Sequence, residues 1–290
     1  MTVAREEVRV TAVDGVETPS GKWRSGENFP VGSFLIRREL RPHVHAFYRF
    51  ARNADDIADN PALSADDKIR RLDRMAAILD GAVGGGDSPA ALAMRESLHA
   101  TGVTAQHCHD VLHAFRLDAV KLRYRDWDDL MAYCRYSASP VGRQLLDLHR
   151  ESPDTWPASD ALCSALQVLN HLQDCADDYR RLDRVYLPLQ DLAVEGIGVQ
   201  TLAGVAASSE LRRVLNGLLD RTAALIGKAE RLPPLVASPG LRWESAVIVE
   251  LAARLLRRLY RGDPLATRVK LSGYDFLLAF TTGVTRSRRQ

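Results

Sequence analysis

Residues 170–188 read NHLQDCADDYRRLDRVYLP, and three side chains in that run, Asn170, Asp174 and Asp178, stand four apart. On an α-helix this spacing stacks them on one face, about 6 Å per step. Asp177 adds a fourth acceptor beside them. An amphipathic helix normally turns such residues to water. Here the neighbouring Leu162, Cys163, Leu166, Leu169 and Leu172 make the segment too apolar all round for a free surface helix. Carboxylates projected from a buried helix repel one another and must be neutralised by a cation or by Arg and Lys. The run therefore points to a metal site.

The pattern occurs twice. Pro42 suits the first turn of a long helix, RPHVHAFYRFARNADDIADN, whose Val44, Phe47, Tyr48, Ala51, Ala54 and Ala58 keep helical spacing. Asp55 and Asp59 are again four apart, with Asp56 beside them and Arg52 one turn before. Two such helices facing each other across a cavity would offer hard oxygen ligands. Mg²⁺ suits them, because it takes one or two carboxylates plus phosphate oxygens in preference to an all-protein cage. The alternative for either cluster alone is a solvated face with surface ion pairs such as Arg52 to Asp56; recurrence in two apolar helices weighs against it.

The remaining chain reads as helices and loops. Residues 1–26, rich in Gly, Ser, Thr and charge, have no sustained period and read as a loose extension. A helical domain follows over 27–290, beginning with a short helix after Pro30. Ser64 caps the next helix, with Asp67 completing a capping-box-like pattern. Ser88-Pro89 starts a helix ending near Gly102, and Thr104 starts another running to about Tyr124. Asp126 or Trp127 opens a segment interrupted around Pro140, and Ser159 is the expected cap of the helix that carries Asn170. Amphipathic helices follow SSELRRV and Pro239-Gly240. No alternating strand and no fixed-period repeat appear, so the fold is all-α, one helical bundle of roughly ten helices around a core.

Composition narrows the function. Of 290 residues, 39 are basic and 37 acidic, a formal net charge of +2, and no basic stripe with interleaved aromatics argues for nucleic acid. Cys108, Cys134, Cys163 and Cys175 form no CxxC pair and read as reduced thiols of a cytosolic protein. The N-terminus lacks an apolar signal core and no uninterrupted apolar run is long enough to span a bilayer. The GAVGGGDSP glycines follow a helix and not a strand, which leaves a nucleotide-binding reading unsupported; GxSxG and P-loop signatures are absent. His109 and His113 share a helix face beside His107 and Cys108, a zinc-like spacing without a third ligand; an exposed helix face is the plainer reading. Aromatics near the acidic clusters, among them Phe34, Phe47, Tyr48, Tyr133 and Tyr186, suit either core packing or a cavity wall that stabilises a carbocation.

Taken together, SFLIRREL, FYRFARNADDIAD, YCRYSASPVG and NHLQDCADD followed by RVYLP resemble, in order, the squalene/phytoene synthases, the head-to-head branch of the trans-isoprenyl diphosphate synthases. The likeness spans about Glu27 to the C-terminal helix. It implies a helical bundle enclosing a central cavity, the type I isoprenoid synthase fold. By the same resemblance Asp55, Asp56 and Asp59 with Asn170, Asp174 and Asp178 hold two or three Mg²⁺ ions, and Arg52 contacts diphosphate. Ser33, Phe34, Tyr133, Asn170, Arg184 and Tyr186 line the substrate site, with Arg52 and Tyr133 the catalytic candidates; Arg268 and Lys270 are further diphosphate contacts. Within the family, ENFPV and SASPVG resemble the bacterial hydroxysqualene synthases of hopanoid biosynthesis, where phytoene and presqualene diphosphate synthases usually carry VAGxVG. That branch implies presqualene diphosphate as substrate, water capture and no NADPH. A sister reaction of the family, an inactive scaffold and a prenyl-lipid carrier are the other readings. The basic end TRSRRQ suggests peripheral contact with an anionic membrane or a solvated tail; oligomeric state stays open.

Overall fold

The computed structural model describes residues 15–18 and 36–287. Ser33, Phe34 and most of the 1–26 extension lie outside the described residues; of the helix expected after Pro30, residues 36–40 form a bend and a turn and not a helix, and α1 starts only at Arg41. Helices α1 (Arg41–Ala58), α2 (Ala65–Leu79), α3 (Pro89–Thr101) and α4 (Gln106–Val120) come first. Next come α5 (Trp127–Ser137), α6 (Ser139–Leu148), the 27-residue α7 (Trp156–Leu182) and the short α8 (Leu189–Val194). The chain ends in α9 (Ser209–Ala229), α10 (Leu232–Leu235), α11 (Pro239–Arg261) and α12 (Gly273–Ser287). No strand occurs among the described residues, so the fold is all-α.

Several boundaries follow from local chemistry. Pro42 sits in the first turn of α1, where its missing N–H leaves nothing unpaired. The Ser64 hydroxyl accepts from the Asp67 backbone N–H at 3.2 Å and donates to its carboxylate at 2.7 Å. Gly102 ends α3 at φ 72°, a left-handed conformation that costs a residue without Cβ little.

Two expected boundaries are corrected. Helix α4 stops at Val120 and not near Tyr124, because residues 121–125 run extended and give their carbonyls elsewhere. Val185 N–H donates to the Leu122 carbonyl and Leu189 N–H to that of Tyr124, both at 2.9 Å. Ser159 does not cap α7; the helix already begins at Trp156, after a turn over Pro153–Thr155 capped by Ser152, with Pro157 in its first turn. Ser159 is instead buried where α6 crosses α7. A Cβ at Gly142 would stand 2.7 Å from Cys163 Sγ and closer still to Ser159 Oγ. Only glycine permits that approach.

Helix α7, about 40 Å long at 1.5 Å per residue, is the axis of the larger core. Its Leu162, Leu169 and Leu172 are buried with Leu215, Leu218 and Leu219 of α9 and Leu255 of α11. A second core joins Phe50 and Ile57 of α1 to Met75 of α2, Met94 of α3 and Leu112 of α4. Fully burying each such side chain is worth about 1.5–3 kcal/mol before chain entropy is subtracted. Between the two cores lies a cavity of about 390 Å³ bounded by α1, α4, α6, α7 and α11. All four cysteines are free thiols, and Cys163 lines this cavity.

Candidate active site

Helix α1 brings its acidic face to one end of the cavity, where Arg52 and Asp55 join the lining. Arg52 pairs with Asp55 at 3.1 Å and with the buried Asp56 at 3.3 Å. Asp59, one turn beyond Asp55, accepts from Arg184 Nη1 at 2.8 Å. Arg184 lies just after α7, so this one side chain ties the end of the second acidic helix to the first.

Arg184 is placed by a strap, residues 183–189, that runs beside the extended residues 121–125. Asp183 ends α7 at φ 49° and its carboxylate is held by Arg123 at 2.5 Å, while Arg123 and Val185 pair as in a parallel sheet. The strap turns Arg184 and Tyr186 inward over α4. There Arg184 Nη2 donates to the Asp118 carbonyl at 2.9 Å, and Asp118 carboxylate accepts from Tyr186 OH at 3.0 Å and Tyr133 OH at 2.7 Å. Tyr186 stacks on His171 with ring centroids 3.4 Å apart, and on Tyr124 at 5.3 Å. Tyr133 and Tyr186, named from sequence as lining residues, thus act on the same buried carboxylate.

On α7, Asp174 is gripped by both nitrogens of one face of Arg268, at 2.6 and 2.8 Å. The Gln173 side chain donates to the Val269 carbonyl at 2.5 Å and so fixes the segment carrying that arginine. Asp178 follows one turn on. Asp177 faces solvent, as does Lys270. Asn170 keeps the same helix face at the preceding turn.

These carboxylates are electrostatically uneasy. Burial, then the neighbouring Asp59, pushes Asp55 up to about 8 against the pull of Arg52. Burial followed by Asp174 and Asp59 pushes Asp178 up to about 7, which places the two clusters within each other's field. Asp118 rises to about 6, burial outweighing Arg184 and the tyrosine hydroxyls. His171 is driven down to about 3 by burial and by Arg184, so it is neutral at physiological pH. Lys68 of α2 is lowered by burial and by Arg184, which sets a second cation beside Asp59 and Asp118. A group of buried and half-buried acids with raised pKa values, one of which, Asp55, lines the cavity, is a site that calls for positive charge.

Asp59 and Asp174 are occupied by arginines, and no three acidic, His or Cys side chains converge as metal ligands among the described residues. The donor set still fits Mg²⁺, which needs only one or two carboxylates per ion beside phosphate oxygens. The histidine pair does not make a site. His109 binds Asp80 at 2.8 Å, and His113 packs edge-on against Tyr136 at 4.6 Å, in separate surroundings.

Asp118, His171 and Lys68 were not among the residues singled out in the sequence. Asp118 carries a signal: it continues the buried face of Val111 and Ala114 on α4, where an acid has no business without partners.

The squalene/phytoene synthase family profile matches residues 23–275. Among curated relatives, the hydroxysqualene synthase of Rhodopseudomonas palustris is 46% identical over 263 residues, 91% of this chain and 89% of the relative. That of Zymomonas mobilis is 43% identical over 270 residues, 92% and 90%. Among solved structures, a squalene synthase of Alicyclobacillus acidocaldarius is 31% identical with TM-score 0.70, covering 80% of this chain and 87% of its own. A dehydrosqualene synthase in complex with a ligand, 23% identical at TM-score 0.75, shares the fold. With the family profile covering most of its length and relatives this similar over nine-tenths of it, the chain belongs to the squalene/phytoene synthase family.

Proposed function

We propose that this enzyme converts presqualene diphosphate and water to hydroxysqualene with loss of diphosphate, a carbon–oxygen lyase reaction. The observation that carries the reaction class is the junction of two unlike environments. Asp55, raised to about 8, stands with Arg52 at one end of a cavity walled elsewhere by Phe47, Val111, Phe115, Leu162 and Ile248, and Asp178, raised to about 7, feels the charge of Asp59 in the same cluster. An anionic head with long apolar tails needs that junction. The choice of water as the capturing group rests on the likeness to the R. palustris and Z. mobilis enzymes bearing that name.

Asp55 and Asp59 on one side, with Asn170, Asp174 and Asp178 on the other, are the residues that would hold two or three Mg²⁺ ions. Bound there, Mg²⁺ supplies Lewis-acid stabilisation of the leaving diphosphate. Arg52 adds charge-assisted hydrogen bonds to its oxygens while Asp56 orients it, and Arg184, held by Asp59 and Asp118, contributes its positive charge from behind the first cluster. Arg268 can turn from Asp174 to the same group. Asp118 keeps Tyr133 and Tyr186 fixed, and with them the Arg184 that meets Asp59. The apolar walls exclude bulk water from the cyclopropylcarbinyl cation left by ionisation. No hydride donor is needed, so NADPH has no part.

A cytoplasmic enzyme handling such lipids would meet the membrane. No described helix is long and apolar enough to cross one. Tyr274 and Leu277 of α12 are 67% and 61% exposed and precede the basic TRSRRQ, a combination suited to an anionic lipid surface. The decisive experiment is incubation with presqualene diphosphate, Mg²⁺ and ¹⁸O-labelled water, with mass spectrometry of the product. One labelled oxygen in a C30 alcohol is the expected result. An unlabelled hydrocarbon, or a requirement for NADPH, rejects the assignment.

A further inference from the structure

Gln144 of α6 lies in the cavity wall, 1% exposed, and neither its Oε1 nor its Nε2 meets a hydrogen-bond partner among the described residues. Buried amides are nearly always paired, since the water they give up must be replaced. An apolar residue of the same length would avoid that cost and close the wall equally well. Ser137, at the end of α5, also lines the cavity with a buried hydroxyl that lacks a partner among the described residues. Glu244 of α11, 2% exposed, adds a carboxylate to the same lining. Ser137 ends α5, Gln144 lies midway along α6 and Glu244 comes from α11, while much of the remaining wall is hydrocarbon. A chamber whose whole task was to keep water away from a cation has no use for them. A buried water needs two to four polar partners and room beside them, and the Gln144 amide and Ser137 hydroxyl are, among the described residues, unpaired polar groups in the lining of a cavity of about 390 Å³.

We propose that Gln144 is the positioning residue for the one water that captures the rearranged cation, with Glu244 receiving its proton. This rests on the hydroxysqualene reading above. The Gln144 carbonyl accepts one O–H of the water and leaves an oxygen lone pair for the cationic carbon. The diphosphate has already departed with the electron pair of its C–O bond. The water's lone pair forms the new C–O bond, one O–H bond breaks, and the proton passes to the Glu244 carboxylate. Atoms and charge balance without any redox partner. The same amide explains how an apolar cavity admits a single water and not bulk solvent.

The test compares wild type, Gln144→Met and Glu244→Gln on presqualene diphosphate with Mg²⁺ in ¹⁸O-labelled water. It reads labelled alcohol formed per diphosphate released, with the melting temperature recorded alongside. Gln144→Met keeps the shape of the side chain and removes both hydrogen-bonding groups. Its expected signature is a melting temperature at or above wild type and a ratio lowered about tenfold or more, as misplacement of a reactant commonly gives. C30 hydrocarbons formed by proton loss make up the difference. Glu244→Gln is expected to lower the ratio as well. An unchanged ratio in Gln144→Met overturns the proposal, and so does an equal loss of alcohol and diphosphate, which is what a structural role alone would give. An unchanged ratio in Glu244→Gln overturns the proton's destination. A wild-type enzyme that makes no labelled alcohol overturns the functional reading itself, and the role of Gln144 with it.

Discussion

The two acidic clusters answer the same electrostatic problem with differently placed arginines. On α1, Asp59 is met by Arg184, whose side chain is 6% exposed and is further committed to the Asp118 carbonyl. On α7, Asp174 is met by Arg268, 37% exposed and carried by the segment between α11 and α12. A buried guanidinium cannot leave its partners without stranding a charge, whereas an exposed one trades a carboxylate for water at small cost. The first cluster is therefore fixed by the fold, and the second can be rearranged by what binds there.

The largest effect tests whether the clusters are equal in chemistry despite that difference. Asp55→Ala and Asp174→Ala should each lower kcat/KM by about 10²–10³-fold, the scale seen when one preorganised electrostatic contact is lost. Excess Mg²⁺ should restore neither. Near-wild-type turnover in one of them would break the symmetry and reduce the site to a single cluster.

Stability should separate what activity does not. Arg184→Ala leaves Asp118 and the inward side of Asp59 without a counter-charge, and urea unfolding should register a loss of about 3–5 kcal/mol. Arg268→Ala should cost about 0–1 kcal/mol by the same measurement. Comparable losses in the two variants would contradict the contrast between a built-in and an exchangeable arginine.

The clusters themselves were legible in the sequence because their geometry is local. Residues four apart on one helix share a face whatever the rest of the chain does, and so Asp55, Asp59, Asn170, Asp174 and Asp178 stood out. Asp118 did not, because its meaning comes from residues 15 and 68 positions away, Tyr133 and Tyr186. The overlong reading of α4 has the same origin. Residues 121–125 carry no helix breaker, and it is the strap at 185–189 that takes their backbone hydrogen bonds. Ser159 looked like a cap because serine favours that role, yet Pro153 and Pro157 had already started the helix upstream. Gln144 gave no signal at all. A glutamine next to Arg143 in a helix is ordinary until the packing closes over it.

The pH dependence of stability offers the finest comparison of the two clusters. Asp55 is held at about 8 and Asp178 at about 7 in the folded chain, while an unfolded carboxyl titrates near 4. Between those limits the folded state binds more protons than the unfolded one, so the stability these groups contribute is complete below about pH 4 and is lost as pH rises through 7 and then 8. In Mg²⁺-free buffer the melting temperature should therefore fall from pH 6 to pH 9, by about 2–4 °C for each kcal/mol lost in a chain of this size. Asp178→Asn should remove the part of the fall that ends near pH 7, and Asp55→Asn the part that continues to about pH 8. Added Mg²⁺ competes with those protons, so its stabilising increment should grow over the same interval. A melting temperature that rises with pH in the metal-free protein would mean that Arg52 and Arg184 outweigh burial. The clusters would then be ordinary ion pairs and not acids waiting for a cation.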